Sequence, residues 1–382
     1  MSKRIIGAWM ALCVVLSPAI PFSAGQDPDK GRVLTIGENR KPQQSVFLQK
    51  DLVVGLNNED EDFLFSEILD VQVDREGNIY VADMKDARIK IFDRDGGNLG
   101  IIGKRGQGPG EIQGVGGISP AGENEIMVTD PGNRRLSFFS TQGEWKRSLP
   151  MGTHMIGKAV MDAAGDIVAQ VVIFDEGMVQ EIVKFDGEIN PLFSIASLME
   201  DGGDDVLRPL RPRLAFGVTQ DGHVVWGISS AYEIHVRDSQ GRRQDKIVRE
   251  ARPVVMSKTR QQEIEKRFAG RIPPHVRIEY PPSFPDFSHF IVEPNGRIYV
   301  RTYQRNENGE HLHDVLNVRG EFLAQFALPE NEHIAAAGNN KLYCYIRANE
   351  DGIPLVVRYD MRWSDHGDTK NRISEVGDII GK

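Results

Sequence analysis

Short runs of β-favouring residues, separated by tight polar turns, recur along most of the chain. In the first clear example, residues 71–73 alternate between apolar and polar up to a turn that ends at Gly77, and residues 79–83 form a second run. Such alternation is typical of a strand with one buried face, and Gly supplies the positive φ that a tight turn needs. Residues 88–92 and 99–102 add two more runs. The unit predicts a four-stranded antiparallel sheet.

The same unit occurs six times. Equivalent turns are anchored at Gly77, Asn124, Gly165, Gly222, Gly296 and Asn340. The spacings between them are 47, 41, 57, 74 and 44 residues. Propeller blades repeat at roughly 40–50 residues, so three spacings fit directly and two contain insertions. One sheet cannot bury both of its faces alone, whereas six arranged radially can.

These repeats predict an all-β fold, a six-bladed β-propeller with four-stranded blades. We expect the propeller to span residues 45–360, with an N-terminal linker at 25–44 and a C-terminal tail at 361–382. The last copy lacks an outer strand, because the chain turns polar after Asp360. We therefore predict that residues 45–54 provide that strand and close the ring, which would hide an exposed edge.

An insertion, residues 251–286, separates blades 4 and 5. It contains a capping-box pattern that starts at Thr259, a short charged helix and then a proline-rich stretch. Long insertions in compact domains are often functional, so the segment could cover one face of the ring as a lid. The lid would bring Arg271, Tyr280 and Phe284 towards a ligand. A surface excursion between two blades is the alternative.

The N-terminus has the pattern of a secretory signal peptide. Lys3 and Arg4 precede an apolar run, residues 5–16, and small residues follow near Ala24. Cleavage after residues 1–24 would remove two positive charges and change the formal net charge from −9 to −11. Retention of the segment as an anchor is the alternative. The sequence thus predicts a periplasmic or secreted protein with no membrane span after cleavage.

Composition narrows the function further. The formal net charge of −9 for 382 residues has the wrong sign for a general nucleic-acid binder. Two cysteines exclude a disulfide scaffold and a cysteine-based zinc cluster, and the signal peptide contains one of them. The other, Cys344, lies in an apolar run, where a buried structural thiol is expected. We expect a monomer.

Propellers usually bind ligands at the mouth of the central channel, where the innermost strands converge. The residue seven positions before each turn anchor marks one level of that channel. The set is Asp70, Gly117, Lys158, Ala215, His289 and His333. We expect Asp70, Lys158, His289 and His333 to bind a ligand there. Asp70 and the two histidines could also hold a divalent metal or act as acid and base. Structural hydrogen bonding around a solvated channel is the alternative.

A second set of polar residues recurs from blade to blade. Asp83 and Asp130 occupy matched places in the first two copies, and Arg88 and Arg135 follow five residues later in each. Repetition at equivalent positions favours hydrogen bonding within each blade over chemistry.

The first copies resemble NHL repeats. The resemblance rests on Gly-Asn-Ile-Tyr-Val-Ala-Asp at 77–83, on Arg-Ile-Lys-Ile-Phe-Asp at 88–93, and on the Gly-rich stretch 103–111 that leads into the next copy. It covers roughly residues 45–360 and implies a bacterial exported six-bladed propeller. Related lyases that act on peptidyl-hydroxyglycine carry His at the start of several innermost strands. Here Asp70 takes that place in the first copy, a departure from their pattern. Propeller lactonases use acidic and Asn ligands in the channel, and no clear set of those is present.

The sequence therefore predicts an exported propeller that acts as a ligand- or protein-binding module, with a protein or small molecule held at the channel mouth. The alternative is a metal-dependent hydrolase or lyase, lactonase-like or peptidyl-hydroxyglycine-lyase-like, that uses Asp70, His289 and His333. A fold shared by binding modules and unrelated enzymes does not choose between them.

Overall fold

The computed structural model describes residues 31–56, 60–174, 177–200, 205–268, 270–273 and 275–365. The predicted signal peptide, residues 1–24, lies outside this part of the chain. Within it, no helix is both long enough and apolar enough to cross a bilayer.

Six antiparallel sheets follow one another along the chain, and each is one blade. Blade 1 comprises Ile68–Val73, Ile79–Asp83, Arg88–Phe92 and Asn98–Ile102, and blade 2 comprises Gly117–Ala121, Glu125–Asp130, Arg135–Ser140 and Trp145–Pro150. Blade 3 comprises Met155–Met161, Ile167–Phe174, Met178–Phe185 and Pro191–Glu200, and blade 4 comprises Leu214–Val218, Val224–Ile228, Glu233–Arg237 and Gln244–Arg249. Blade 5 comprises His289–Val292, Arg297–Arg305, His311–Asn317 and Phe322–Leu328, and blade 6 comprises Glu332–Gly338, Lys341–Ile346, Leu355–Asp365 and Gln44–Val54. The predicted six-bladed β-propeller is confirmed.

The innermost strand of each blade contacts that of the next, and blade 6 contacts blade 1. Hydrophobic clusters fill the space between every pair of neighbouring blades. In blade 1, for example, Ile89 packs towards blade 2 and Phe92 towards blade 6. Each blade therefore buries both of its faces, one against each neighbouring blade, which explains why a single sheet of this sequence would not be stable alone.

The ring closes as predicted. Gln44–Val54 pairs antiparallel with Leu355–Asp365, from Gln44 opposite Asp365 to Val54 opposite Val356. Asp51 strengthens this join, because its carboxylate lies 2.6 Å from Lys341 Nζ and 3.0 Å from Arg358 Nε. The pairing covers an edge that would otherwise be open to other chains. The last strand continues to Asp365, five residues beyond the predicted boundary at 360.

The predicted linker 25–44 contains a strand. Val33–Ile36 pairs in parallel with Gln244–Arg249, so blade 4 has a fifth strand. The Arg32 backbone N–H donates to Asp245 Oδ1 at 2.8 Å, and Ile36 is buried in the cluster between blades 4 and 5. A four-residue run is too short for its period to stand out, which is why the sequence pattern did not indicate it.

Repeated aspartates organise the turns and the ends of the blades. Asp74 accepts hydrogen bonds from the backbone N–H groups of Glu76 and Asn78, at 3.0 and 2.8 Å, and Gly77 takes a φ of +90°. At the other end of blade 1, Asp83 accepts from the N–H groups of Ser66 and Glu67.

Asp130 accepts in the same way from the N–H groups of Gln113 and Gly114, 17 and 16 residues earlier. Asp83 and Asp130 therefore perform the same structural task in their blades, as expected. Their partner arginines differ: Arg88 pairs with Asp62 at 2.8 Å, whereas Arg135 donates to the carbonyl oxygens of Gly108 and Glu111.

The insertion contains one helix, α1, at Lys258–Phe268, and a two-residue strand, Arg277–Ile278, that pairs with Val206–Leu207. The helix is capped by Ser257, whose Oγ accepts from the Arg260 N–H at 3.2 Å. The capping box predicted at Thr259 is therefore wrong. Thr259 already lies inside the helix, because Ser257 two residues earlier provides a capping hydroxyl.

Candidate functional site

Three of the predicted channel residues meet where the innermost strands of blades 1, 2 and 3 approach one another. The position that a Cβ would take on Gly117 lies 3.6 Å from Lys158 Cγ and 3.7 Å from Asp70 Oδ2. The Ile118 N–H donates to Asp70 Oδ2 at 3.2 Å. Because Gly117 has no side chain, Asp70 and Lys158 face each other across blade 2.

The remaining members continue the ring. Lys158 Nζ lies 5.7 Å from the ring centroid of Phe216, next to Ala215 on the innermost strand of blade 4. His289, on blade 5, makes a hydrogen bond with the backbone of Ile334 on blade 6. All six predicted positions have the same register, each opposite the fifth residue after the turn anchor of its blade. The structure brings Asp70, Gly117 and Lys158 together, and no single cluster of described residues contains all six.

On blade 5 the histidines surround a buried arginine. Arg301 lies opposite His289 on one neighbouring strand and opposite His313 on the other. Its side chain donates to the carbonyl oxygens of Glu332 at 2.9 Å and Glu330 at 2.7 Å. A third contact of 2.7 Å joins Arg301 Nη1 to His333 Nδ1. Arg301 therefore links blades 5 and 6 beside the channel.

The contact with Arg301 determines the protonation of His333. A guanidinium can only donate, so His333 Nδ1 must accept, and the imidazole is neutral with its proton on Nε2. Burial, followed by the charges of Arg301 and Arg347, lowers the pKa of His333 to about 3. Burial and the charges of Arg301, Arg213 and Lys158 lower the pKa of His289 to about 3 as well. Both imidazoles are neutral at neutral pH.

Two further histidines of this group were missed in the sequence. His311 Nδ1 contacts the carbonyl oxygen of Thr302 at 3.0 Å, and burial followed by Arg301 lowers its pKa to about 4. His313 is fully buried, stacks on Phe326, and donates from Nδ1 to the His311 carbonyl oxygen at 3.0 Å. Its Nε2 has no hydrogen-bond partner within the described chain. Counting residues in both directions from the turn at Gly296 would have placed His289 opposite Arg301. His311 and His313 lie on the third strand of the blade, which does not adjoin that turn.

Asp70 is the acidic member of the site. Burial raises the pKa of its carboxyl, while the charge of Lys158 and the Ile118 N–H oppose that shift. Gln72 Nε2 also donates to its Oδ1, at 3.2 Å.

These residues do not fit a divalent metal. Asp70 is occupied by Ile118 and Gln72, and the Nδ1 of His333 faces the guanidinium of Arg301, which repels a cation. Among the residues that the structure describes, no group of three His, Cys, Asp or Glu side chains could hold a metal ion. The hypothesis of a metal bound by Asp70, His289 and His333 has no geometric support here.

Cations around the channel mouth are the more distinctive feature. Lys158 is half-buried, and Arg213 and Arg347 are exposed. Within the described residues none of the three makes an ion pair, whereas Arg88, Arg147 and Arg249 each do. Arg213 directly precedes the innermost strand of blade 4, and Arg347 directly follows the second strand of blade 6, so both lie at the end of the blades where the strands of His289 and His333 begin. The charges of Lys158 and Arg213 act on His289, and that of Arg347 acts on His333.

The three predicted lid residues have different surroundings. Phe284 is 6% exposed and packs on Tyr303 of blade 5, with ring centroids 4.8 Å apart, so it fixes the insertion to the propeller. Tyr280 lies beside Glu265 of α1, and burial followed by that charge raises its pKa. Arg271 is exposed. The insertion also borders a cavity of about 640 Å³ between blades 4 and 5, which includes Arg252, Arg260, Tyr303 and Arg305.

The remaining cysteine, Cys344, is buried, and burial raises its pKa well above the ordinary value. This agrees with the structural role expected from its apolar surroundings.

Comparison with known proteins supports the fold. Residues 26–151 match the DUF5128 family, described as a six-bladed β-propeller. A candidate exported protein from Bacteroides fragilis is similar in structure, with a TM-score of 0.56 and 10% sequence identity over 87% of this chain and 100% of that one. A member of the DUF4221 family from Bacteroides vulgatus has a TM-score of 0.54 and 14% identity, over 85% of this chain and 99% of the other.

A streptogramin B lyase is more distant, with a TM-score of 0.45 and 11% identity over 84% of this chain and 98% of its own, and carries no argument about activity. No curated protein matches the sequence. At these identities the likeness concerns the fold alone, and this chain has the fold of a six-bladed β-propeller.

Proposed function

We propose that this protein is an exported propeller that binds a small molecule or a segment of another protein at the mouth of its central channel. The observation that carries the proposal is the convergence of side chains there: Asp70, Lys158 and His289 come from three different blades and lie at one level of the channel. Ligand sites commonly combine an apolar surround with a few convergent polar groups. Phe216 supplies part of that surround next to Lys158.

Export is supported by the charged, apolar and small-residue order of residues 1–24. The likeness to a candidate exported protein points the same way. Mass spectrometry of the protein recovered from its native cell envelope should show an N-terminus near residue 25. Retention of Met1 in that sample would contradict cleavage. We also infer that the blades are of the NHL type, from the motifs at 77–83 and 88–93.

The binding site can be tested by filling the mouth. In Gly117→Leu the new side chain would project between Asp70 and Lys158, where a Cβ meets its neighbours at ordinary contact distances. Gly100→Leu is a matched control, since a Cβ at Gly100 meets no atom within 4 Å and the residue lies on the outermost strand of blade 1. Both variants and the unmodified full chain would be screened by thermal shift against neutral, cationic and anionic small molecules and short peptides.

We expect ligands that stabilise the unmodified chain and Gly100→Leu but have at least tenfold weaker affinity for Gly117→Leu. Ligands that bind all three equally would place the site elsewhere and contradict the proposal. Turnover of a lactone or a peptidyl-hydroxyglycine substrate that is lost in His289→Leu would show that the protein is an enzyme and would contradict the proposed binding function.

A further inference from the structure

Three cationic side chains at the channel mouth lack an ion-pair partner among the described residues. Most arginines on the blades are satisfied locally: Arg147 lies 2.6 Å from Glu125, and Arg358 lies 3.0 Å from Asp51. Lys158, Arg213 and Arg347 make no ion pair with any residue that the structure describes. Three cations left unpaired in one region raise the electrostatic potential there.

The acidic groups nearby do not cancel these charges. Asp70 acts on Lys158, and Glu330 acts on Arg301. Glu330 is also paired with Arg305, at 3.1 Å, so two arginines share its charge. The lowered pKa of His289, caused by burial and then by Arg301, Arg213 and Lys158, reflects the same imbalance. Two of the cations are exposed and Lys158 is half-buried, so a ligand can reach them without displacing the core.

The neutral imidazole of His333 adds a hydrogen-bond donor. Because His333 Nδ1 accepts from Arg301, its proton is on Nε2, which can donate to an acceptor. An oxyanion has several acceptor oxygens and prefers charge-assisted donors such as ammonium and guanidinium groups. A cationic ligand would instead meet repulsion from three sides, with Asp70 as its single favourable partner on the predicted level.

We propose that the ligand at the channel mouth is a small oxyanion, bound by Lys158, Arg213 and Arg347 next to His289 and His333. This inference rests on the proposed function of the mouth as a binding site and specifies its ligand class. Carboxylates and phosphates share the required chemistry, so the probes must separate them.

Pairs of probes that differ in one anionic group test whether the site prefers an anionic ligand. Glucuronate is compared with glucose, and glucose 6-phosphate with glucose, by isothermal titration calorimetry of the full chain at low and at moderate salt. Preference for glucuronate identifies a carboxylate site, and preference for the phosphate ester identifies a phosphate site. We expect one anionic probe to bind at least tenfold more tightly than glucose, and its affinity to fall as salt rises. Equal binding of anionic and neutral probes, or no binding of any of them, would overturn the inference.

Lys158→Met tests the assignment, because methionine keeps the apolar stem and removes the charge. Arg319→Met is the control: Arg319 likewise forms no ion pair within the described residues, but it is exposed and lies in the turn at the opposite end of blade 5. Anion affinity should fall about tenfold or more in Lys158→Met and stay within twofold in Arg319→Met. Equal losses in both variants would indicate a diffuse surface effect and contradict the proposed site.

The outcomes separate this inference from the proposed function. If a neutral ligand no longer binds Gly117→Leu but still binds Lys158→Met, the oxyanion proposal is contradicted and the proposed binding function stands. An anion that binds Gly117→Leu as tightly as the unmodified chain would contradict both, since its site would not be the channel mouth.

Discussion

Blades 1 and 2 differ from blades 5 and 6 in how they use buried polar residues. In the first two blades Asp83 and Asp130 occupy equivalent positions and accept equivalent backbone hydrogen bonds, so repetition coincides with structural satisfaction. On blades 5 and 6, Arg301 and His313 have no counterpart in the repeat, and His313 Nε2 has no hydrogen-bond partner among the described residues. Residues that recur hold the blades together, whereas those that break the pattern lie beside the channel.

The largest predicted effect is a loss of stability when Asp83, one of the repeated aspartates, is replaced. Asp83 and Lys90 are both fully buried, with Oδ2 and Nζ 3.1 Å apart, and Asp83 also accepts from Ser66 and Glu67. Asp83→Ala leaves the ammonium of Lys90 with Asp86 as its remaining carboxylate partner and frees two backbone N–H groups. Urea unfolding should show a loss of about 3–5 kcal/mol in the free energy of unfolding. Asp95→Ala, on an exposed turn of the same blade, is the control.

A loss for Asp83→Ala no larger than that of Asp95→Ala would contradict the structural role. If Asp83→Ala does not fold, Asp83→Asn keeps one acceptor and should show a smaller loss in the same assay.

The second prediction concerns the loss of stability at acid pH. The histidines of blades 5 and 6 have an ordinary pKa of 6.5 when unfolded, and burial lowers the pKa to about 3 in His289 and His333 and to about 4 in His311. Between these values the unfolded chain binds more protons than the folded one. Stability is therefore full above pH 6.5 and falls as the pH drops towards 3, by at most about 1.4 kcal/mol per pH unit for each histidine.

Urea unfolding from pH 7 to pH 4 measures this slope. His333→Gln keeps an acceptor for Arg301 and removes the titrating group, so its slope should be shallower. An unchanged slope would show that His333 does not contribute.

The smallest predicted change in stability is at Lys158, in the candidate site at the channel mouth. Lys158 forms no ion pair with the described residues, so Lys158→Met should change the free energy of unfolding by no more than about 0.5 kcal/mol. The same variant should lose anion affinity. A loss of several kcal/mol in stability would place Lys158 with Asp83 as a structural residue and remove the distinction between the two regions.

The sequence predicted the ring because turn residues and strand alternation are local properties. Gly77 and Asn340 adopt positive φ, and the closing strand could be found because one blade lacked a partner. It did not predict Val33–Ile36 as part of blade 4, because a parallel strand that pairs more than 200 residues away depends on tertiary contacts.

Counting positions from the turns predicted Asp70, Lys158 and His289 as channel residues, and the structure brings Asp70 and Lys158 together at Gly117. Arg301, His311 and His313 were missed because they lie on the second and third strands of blade 5, where burial and cross-strand pairing decide which side chains meet. That Lys158 forms no ion pair with any described residue is also a tertiary property, since it depends on which side chains the other blades bring near.

The most direct test of the binding site is a crystal structure of the full chain with the tightest probe from the titrations. The account predicts ligand density at the channel mouth, with its anionic group in contact with Lys158 Nζ and within reach of His289. Density confined to the 640 Å³ cavity beside the insertion, or to the outer surface of a blade, would contradict it.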